Sequence, residues 1–264
     1  ISVPSVFSAL TLAKEYGVVS GDFYQLQPIH TCRHAKVKRW LGQSPFNSSG
    51  IRDRVMDQKS DRRLCILKKQ YRMEDEISAL VNSLCYGGAL TDASPEERSS
   101  YPLNQMIFES RLLFIDVRDC VRCVTAPQNF SRVNSKLAEI SANMAKHYIE
   151  KDIPVGIITP YTAQVKEIRK HFSQEELAEK VRVSTVHKFQ GSEIDVIIFE
   201  VADSFPQKSP SVLVSGSKDS FLENNSPTLP LVNVALTRAK SQVIVIADLK
   251  YLQSKLSNTN ILLS

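Results

Sequence analysis

The sequence predicts an α/β fold: a mainly parallel, doubly wound sheet with helices on both faces. Short runs of Val, Ile and Leu recur along the chain, and amphipathic stretches with helical spacing lie between them. The composition agrees. In 264 residues, 42% hydrophobic and 23% charged are globular values that exclude disordered and collagen-like classes. At about 100 to 200 residues per domain, this is one large domain, or one domain plus part of another.

Taken in order, the candidate strands are residues 16–20 (YGVVS), 64–67 (LCIL), 112–117 (LLFIDV), 155–158 (VGII), 181–184 (VRVS), 195–201 (DVIIFEV) and 243–247 (VIVIA). They are apolar at successive positions, as strands covered on both faces are. Helical stripes fall between them: Ile77, Leu80, Val81 and Leu84; Leu137, Ile140, Met144 and Tyr148; Val165, Ile168 and Phe172. Two regions break the rhythm. Residues 203–230, with four prolines and seven serines, predict a long loop. Residues 31–61 mix Gly, Pro, Asn and Ser with charge and predict a junction.

Charge is unevenly placed. The chain carries 33 Lys+Arg and 28 Asp+Glu, a net +5; residues 33–73 alone hold 12 Lys+Arg and 3 Asp, a net +9, which leaves −4 for the remainder. Such a basic strip attracts phosphate backbones, although a solvated surface has the same composition. No run of about 18 apolar residues occurs, so nothing predicts a bilayer span, and no secretory segment opens the sequence. Five cysteines, of which only Cys120 and Cys123 are close, are too few for a disulfide framework. They predict a reducing, intracellular compartment, cytoplasm or nucleus. Opening on Ile1, the chain is expected to be a piece of a longer protein.

Ligands of open parallel sheets bind at the carboxyl ends of the strands. The polar clusters are expected there, along one sheet edge: Gly21-Asp22 leading to Gln25, Gln70-Tyr71-Arg72-Met73, Thr159-Pro160-Tyr161, Thr185 leading to Gly191-Ser192-Glu193, and a helix over residues 233–240 (NVALTRAK). Amides, hydroxyls, a carboxylate and two guanidiniums suit a phosphate-bearing ligand, because guanidinium binds phosphate oxygens bidentately.

GDFYQLQP, QYRM, ITPYTAQ, STVHKFQGSEIDVI and NVALTRAK, in that order and at domain-scale spacing, resemble the helicase motifs of superfamily 1B DNA/RNA helicases. That branch contains the nonsense-mediated-decay helicase, senataxin and the Okazaki-fragment nuclease-helicase. The resemblance covers nearly the whole chain and identifies it with the C-terminal half of such a motor. It implies a RecA-like, P-loop-NTPase-type sheet: residues 1–62 as the end of a first RecA-like domain plus a basic junction, and 63–264 as the second domain. It also implies ATP and Mg²⁺, both held mainly by the first domain, with single-stranded DNA or RNA and that first domain as partners and no membrane.

Carried over by position, Gln25 would sense the γ-phosphate and its attacking water, and Arg72 and Arg238 would be arginine fingers. Tyr71 would stack on adenine. Gly191 and Glu193 would contact the nucleotide. Thr159, Pro160, Tyr161 and Thr185 would hold the nucleic-acid strand by its backbone. The sequence departs from the family at Gln27, at His187-Lys188 and at Leu231, none of which touches the two arginines.

Duller readings compete: an ion pair for either arginine, a half-buried aromatic for Tyr71, a turn for Gln25, a local cap for Glu193, and backbone-bonded hydroxyls for the threonines. Cys120 and Cys123 have metal-like spacing but no second pair nearby, so no metal is expected. His30, Cys32 and His34 lack a fourth partner, Asn47-Ser48-Ser49 matches a glycosylation acceptor irrelevant inside a cell, and His147 reads as solvated. The sequence has no G-x-x-x-x-G-K-[ST] and no acidic Mg²⁺ motif, so alone it is expected not to hydrolyse ATP. A catalytically inert, helicase-derived binding module is the alternative function. A dinucleotide-binding enzyme would need a G-x-G-x-x-G that is missing.

Overall fold

A computed structural model describes residues 2–28, 32, 34–56, 59–127, 131–224 and 226–263. His30 of the alternating His/Cys segment lies outside them. The chain divides into two compact units, Ile1–Leu67 and Lys68–Ser264.

The second unit is built on five parallel strands: β1 (Leu112–Asp116), β2 (Val155–Thr159), β3 (Val181–Thr185), β4 (Ile194–Glu200) and β5 (Ala239–Ala247), in the spatial order β1-β5-β4-β2-β3. Helices α1 (Asp75–Val81), α2 (Ser135–Glu150), α3 (Thr162–Arg169), α4 (Gln174–Glu179), α5 (Val186–Phe189), α6 (Thr228–Leu236) and α7 (Leu249–Lys255) accompany them. Side chains alternate across a strand. Val155, Ile157, Val196, Ile198, Ile244 and Ile246 therefore share one face, where Leu137, Ala142, Ala145 and Tyr148 of α2 and Ile168 of α3 cover them. On the other face α5 lies over β2, where Phe189 crowds Gly156 so closely that a Cβ there would sit 2.6 Å from its ring. The predicted doubly wound α/β class is what the second unit shows.

The helix starts are specified locally. Asn134 caps α2 by accepting from the Leu137 amide at 3.1 Å, Ser173 and Glu176 form a reciprocal capping box on α4, and Asp248 caps α7 through the Tyr251 amide at 2.9 Å.

Two expected strands fail for a common reason: an apolar run becomes a strand only beside a neighbour that takes its backbone hydrogen bonds. Residues 16–20 are not a strand, and Tyr16 and Val18 are 87% and 93% exposed. Residues 64–67 are likewise irregular; a short strand follows at Lys69–Gln70 and pairs with Thr91–Asp92. The stretch read as a junction contains helices Ala35–Leu41, Pro45–Ser48 and Ile51–Met56, whereas the long loop expected after β4 is interrupted by helix Lys218–Asn224 and the start of α6. The stripe ending at Phe172 outlasts α3, and the helix expected through residue 240 stops at Leu236, because the chain turns there into β5. Among the described residues no helix is long and apolar enough to cross a membrane.

Candidate functional site

Because all five strands run the same way, residues that enter a strand and residues that leave one lie at opposite ends of the sheet. Glu193 and Arg238 immediately precede β4 and β5, whereas Thr159 and Thr185 close β2 and β3. The expected clusters therefore do not share one edge. They form two sites, one at each end.

At the amino-terminal end four charged residues converge. Arg72 Nε donates to Glu193 Oε2 at 2.7 Å, and its Nη1 donates to the Thr237 carbonyl at 3.2 Å. Lys240 Nζ stands 3.8 Å from Glu193 Oε1. Arg238 is buried; its Nη2 donates to Thr237 Oγ1 at 3.0 Å and its Nη1 to the Ser192 carbonyl at 3.2 Å. Both guanidiniums thus meet on Thr237, one through its carbonyl and one through its hydroxyl. The Arg72 guanidinium, with Lys240 and Arg238 adding to it, holds the Glu193 carboxyl below the ordinary carboxylate range.

Backbone geometry explains the placement. Gly191 has φ +86°, the left-handed region that costs other residues energy, and turns the chain from α5 into β4. Arg182 of β3 braces this turn by donating to Ser192 Oγ at 2.6 Å and to the Lys188 carbonyl at 3.1 Å. Arg72 is fixed from its own side: Gln70 Oε1 accepts from the Arg72 and Met73 amides at 2.9 and 2.8 Å. Tyr71, beside it, is 55% exposed, with Lys69 Nζ 5.0 Å from its ring centre.

At the carboxyl-terminal end Thr159 and Thr185 are register partners on adjacent strands. Thr159 is 0% exposed and its hydroxyl is buried without a hydrogen bond; Pro160 and Thr185 are also buried. Tyr161 is buried as well. Its phenol donates to Asp203 Oδ2, and burial, then Asp203, pushes its pKa well above the ordinary value. The expected strand contacts therefore pack beneath this edge rather than stand out from it. Gln25 lies in the first unit, where its Nε2 donates to Asp22 Oδ2 at 3.2 Å.

Sequence reading missed Thr237 and Lys240, although both flank Arg238 inside NVALTRAK. It also passed over a buried polar set beneath the carboxyl-terminal edge. Gln164 accepts from the Asn134 amide at 2.7 Å and donates to its carbonyl at 3.0 Å, which ties the start of α3 to the start of α2. Glu200, fully buried at the end of β4, accepts from Ser141 Oγ at 2.6 Å, and desolvation pushes its pKa up to about 7. Asp203 accepts from the Ser211 amide at 2.9 Å and faces Arg132 Nε at 3.7 Å. A polar residue inside or just after a long apolar run was the available signal.

Among the described residues no group of three His, Cys, Asp or Glu could hold a metal. Glu193, the carboxylate at the arginine cluster, is committed to cations, so the set suits a polyanion such as a triphosphate and offers Mg²⁺ no ligand shell. Cys123 is buried, which pushes its thiol up to about 11, and Cys120 is exposed.

A family model described as an AAA domain matches residues 48–250. The chain is 25% identical to the DNA replication ATP-dependent helicase/nuclease dna2 of Schizosaccharomyces pombe, over 99% of this chain and 18% of that protein. It is 27% identical to helicase sen1 of the same yeast, over 72% of this chain and 11% of that protein. It thus spans less than a fifth of the length of either. Among solved structures, the C-terminal domain of a possible DNA helicase from Lactobacillus plantarum WCFS1 overlaps 74% of this chain and 96% of its own, at 12% identity and a TM-score of 0.38.

Proposed function

Because the chain belongs to the AAA domain family and, with it, to the superfamily 1 helicases, we propose that it is the C-terminal motor half of an ATP-dependent DNA or RNA helicase or translocase. In this reading residues 63–264 are the second RecA-like domain, and residues 1–62 are the end of the first with a basic junction. The first domain holds ATP and Mg²⁺ through its P-loop and acidic motif, and the protein works inside the cell on single-stranded nucleic acid.

The convergence of Arg72 and Arg238 on Thr237 supports this reading. An isolated surface ion pair needs one arginine and one carboxylate; here two guanidiniums and an ammonium crowd one carboxylate at the sheet end. Excess cation at one point suits a ligand that brings several negative oxygens. Arg238 is pre-set by its bonds to the Ser192 carbonyl and the Thr237 hydroxyl, so it loses little freedom on binding. Arg72 is parked on Glu193, a contact that the γ-phosphate replaces with a bidentate one as the cleft closes. Gly191 and Glu193 then line the nucleotide, Tyr71 offers its exposed ring to adenine, and Gln25 orients the attacking water. The charge that develops on the transferred phosphoryl group meets both fingers, which is the role worth about 10³ to 10⁵ in rate.

At the opposite edge, the turn Thr159-Pro160-Tyr161 and Thr185 carry the strand. With their side chains packed, they act through backbone groups and by shaping the rim, a grip that reads no sequence. Closure and release of the cleft on each ATP then moves the strand stepwise.

Arg72→Ala and Arg238→Ala, each assayed in the protein joined to its P-loop-bearing domain, should cut ATP turnover at least about a thousandfold while strand affinity stays near that of the parent. The chain without that domain should show no turnover. Unchanged turnover in both variants removes the arginines from the mechanism and leaves the inert binding module as the better account.

A further inference from the structure

Beyond the turns already assigned to the strand, the carboxyl-terminal edge carries an exposed aromatic on a tightly fastened loop. Phe205 follows β4 by five residues and is 40% exposed, with its ring packed edge-on against Tyr251 at 5.2 Å between centres. The segment that bears it is tied down along its length. Its carbonyl accepts from the Cys123 amide at 2.9 Å, Gln207 Nε2 donates to the Cys123 carbonyl at 3.0 Å, and Arg132 Nη2 donates to the Ser209 carbonyl at 3.0 Å. Asp203 accepts from the Ser211 amide and from Tyr161, which joins this loop to the turn after β2. An aromatic left half-bare on so constrained a loop presents a fixed face.

Its exposed surroundings carry cations, while Asp248, which caps the helix bearing Tyr251, is buried. Cys123 is buried, so its neighbours Arg122 and Val124 point the other way, and both are exposed. Lys208, three residues after Phe205, is exposed too. Among the described residues Arg122 and Lys208 form no ion pair, whereas the nearby acids Asp116 and Asp119 are taken up by Arg118 and Lys250. A rigid aromatic face flanked by uncompensated cations matches the chemistry of single-stranded nucleic acid, which offers a stackable base for each phosphate.

We propose that Phe205 is a base-stacking platform for single-stranded nucleic acid at the carboxyl-terminal edge of the sheet, with Val124 widening its apolar face and Arg122 and Lys208 contacting the phosphates. The proposal rests on the strand-binding reading and adds to it a contact with the bases, made by a segment outside every helicase motif quoted above. Stacking uses a π face common to all bases, so the platform has no sequence preference.

The test compares a fluorescent oligothymidylate with an abasic oligomer of equal length, titrated with the full chain at low salt. Phe205→Ala should weaken oligothymidylate binding about five- to a hundredfold and leave the abasic oligomer unchanged. Phe205→Trp should bind like the parent, with an indole emission that oligothymidylate quenches and the abasic oligomer does not. Arg122→Ala with Lys208→Ala should reduce the slope of log affinity against log salt by about 1.4 for both oligomers. Parental affinity of Phe205→Ala for oligothymidylate overturns the platform and leaves the patch to a protein partner. Should Phe205→Ala lose its fold, an unquenched Phe205→Trp overturns it equally. A parent chain that binds neither oligomer refutes the strand-binding reading itself, and the platform falls with it.

Discussion

Glu200 makes stability depend on pH in a direction opposite to that of most carboxylates. It is buried at the end of β4 against Ser141, and desolvation raises its pKa from an ordinary 4.5 to about 7. The unfolded chain releases this proton near pH 4.5, whereas the folded chain keeps it until about pH 7. The stability contribution is therefore fully present below the unfolded pKa and is lost as pH rises through the folded one. A rise of about 2.5 units, at about 1.4 kcal/mol each, makes the complete loss about 3 kcal/mol. Most of it falls between about pH 5 and pH 8. Glu200→Gln keeps an oxygen to accept from Ser141 and has no proton to lose, so it should flatten this dependence. Urea unfolding of parent and variant at about pH 5 and about pH 8 reads the effect: the variant should gain about 2 to 3 kcal/mol on the parent at the higher pH relative to the lower. Parallel pH dependences in the two proteins refute the claim that a buried, protonated carboxyl sits there.

Tyr161→Phe removes the phenol that donates to buried Asp203 and leaves a carboxylate oxygen short of a partner; it should cost about 1 to 3 kcal/mol in the same unfolding assay. Gly191→Ala places a Cβ at φ +86°, where no neighbour lies within 4 Å, so the penalty is one of backbone conformation, about 1 to 2 kcal/mol. It should also lower ATP turnover of the domain-joined protein, since the Glu193 turn hangs from it; full activity would detach that turn from the nucleotide.

The five strands of the sheet were legible because each is centred on a short apolar run, with helical stripes before β1, between β1 and β2 and between β2 and β3. Residues 16–20 and 64–67 read just as well and are not strands. Composition records a capacity for pairing, whereas pairing itself needs a neighbour. At the site, motif order marked Arg72, Glu193 and Arg238, yet the rule that ligands gather at the carboxyl ends of strands placed them at the wrong end. That rule concerns residues leaving a strand, and Glu193 and Arg238 enter one, while Arg72 reaches them from outside the five-stranded sheet. Tyr161 was read as a contact because it stands inside ITPYTAQ; the partner that buries it, Asp203, stands 42 positions away and no local pattern couples them. Glu200 and Gln164 escaped for a similar reason: a polar residue in or after an apolar run marks a candidate without naming the partner that meets it, here Ser141 and Asn134.

The sheet's uniform polarity sets a distance over which any coupling must act. Thr185 at one rim and Glu193 at the other are separated by the length of a five-residue strand, about 16 Å, yet by only seven intervening residues of chain. Those residues are one turn of helix and the Gly191 bend, with Phe189 wedged over Gly156 as a fulcrum. The chain therefore joins the two rims covalently over this short connection. Trimming Phe189 would open space over Gly156, whereas any side chain added at Gly156 would collide with Phe189 and Ile197.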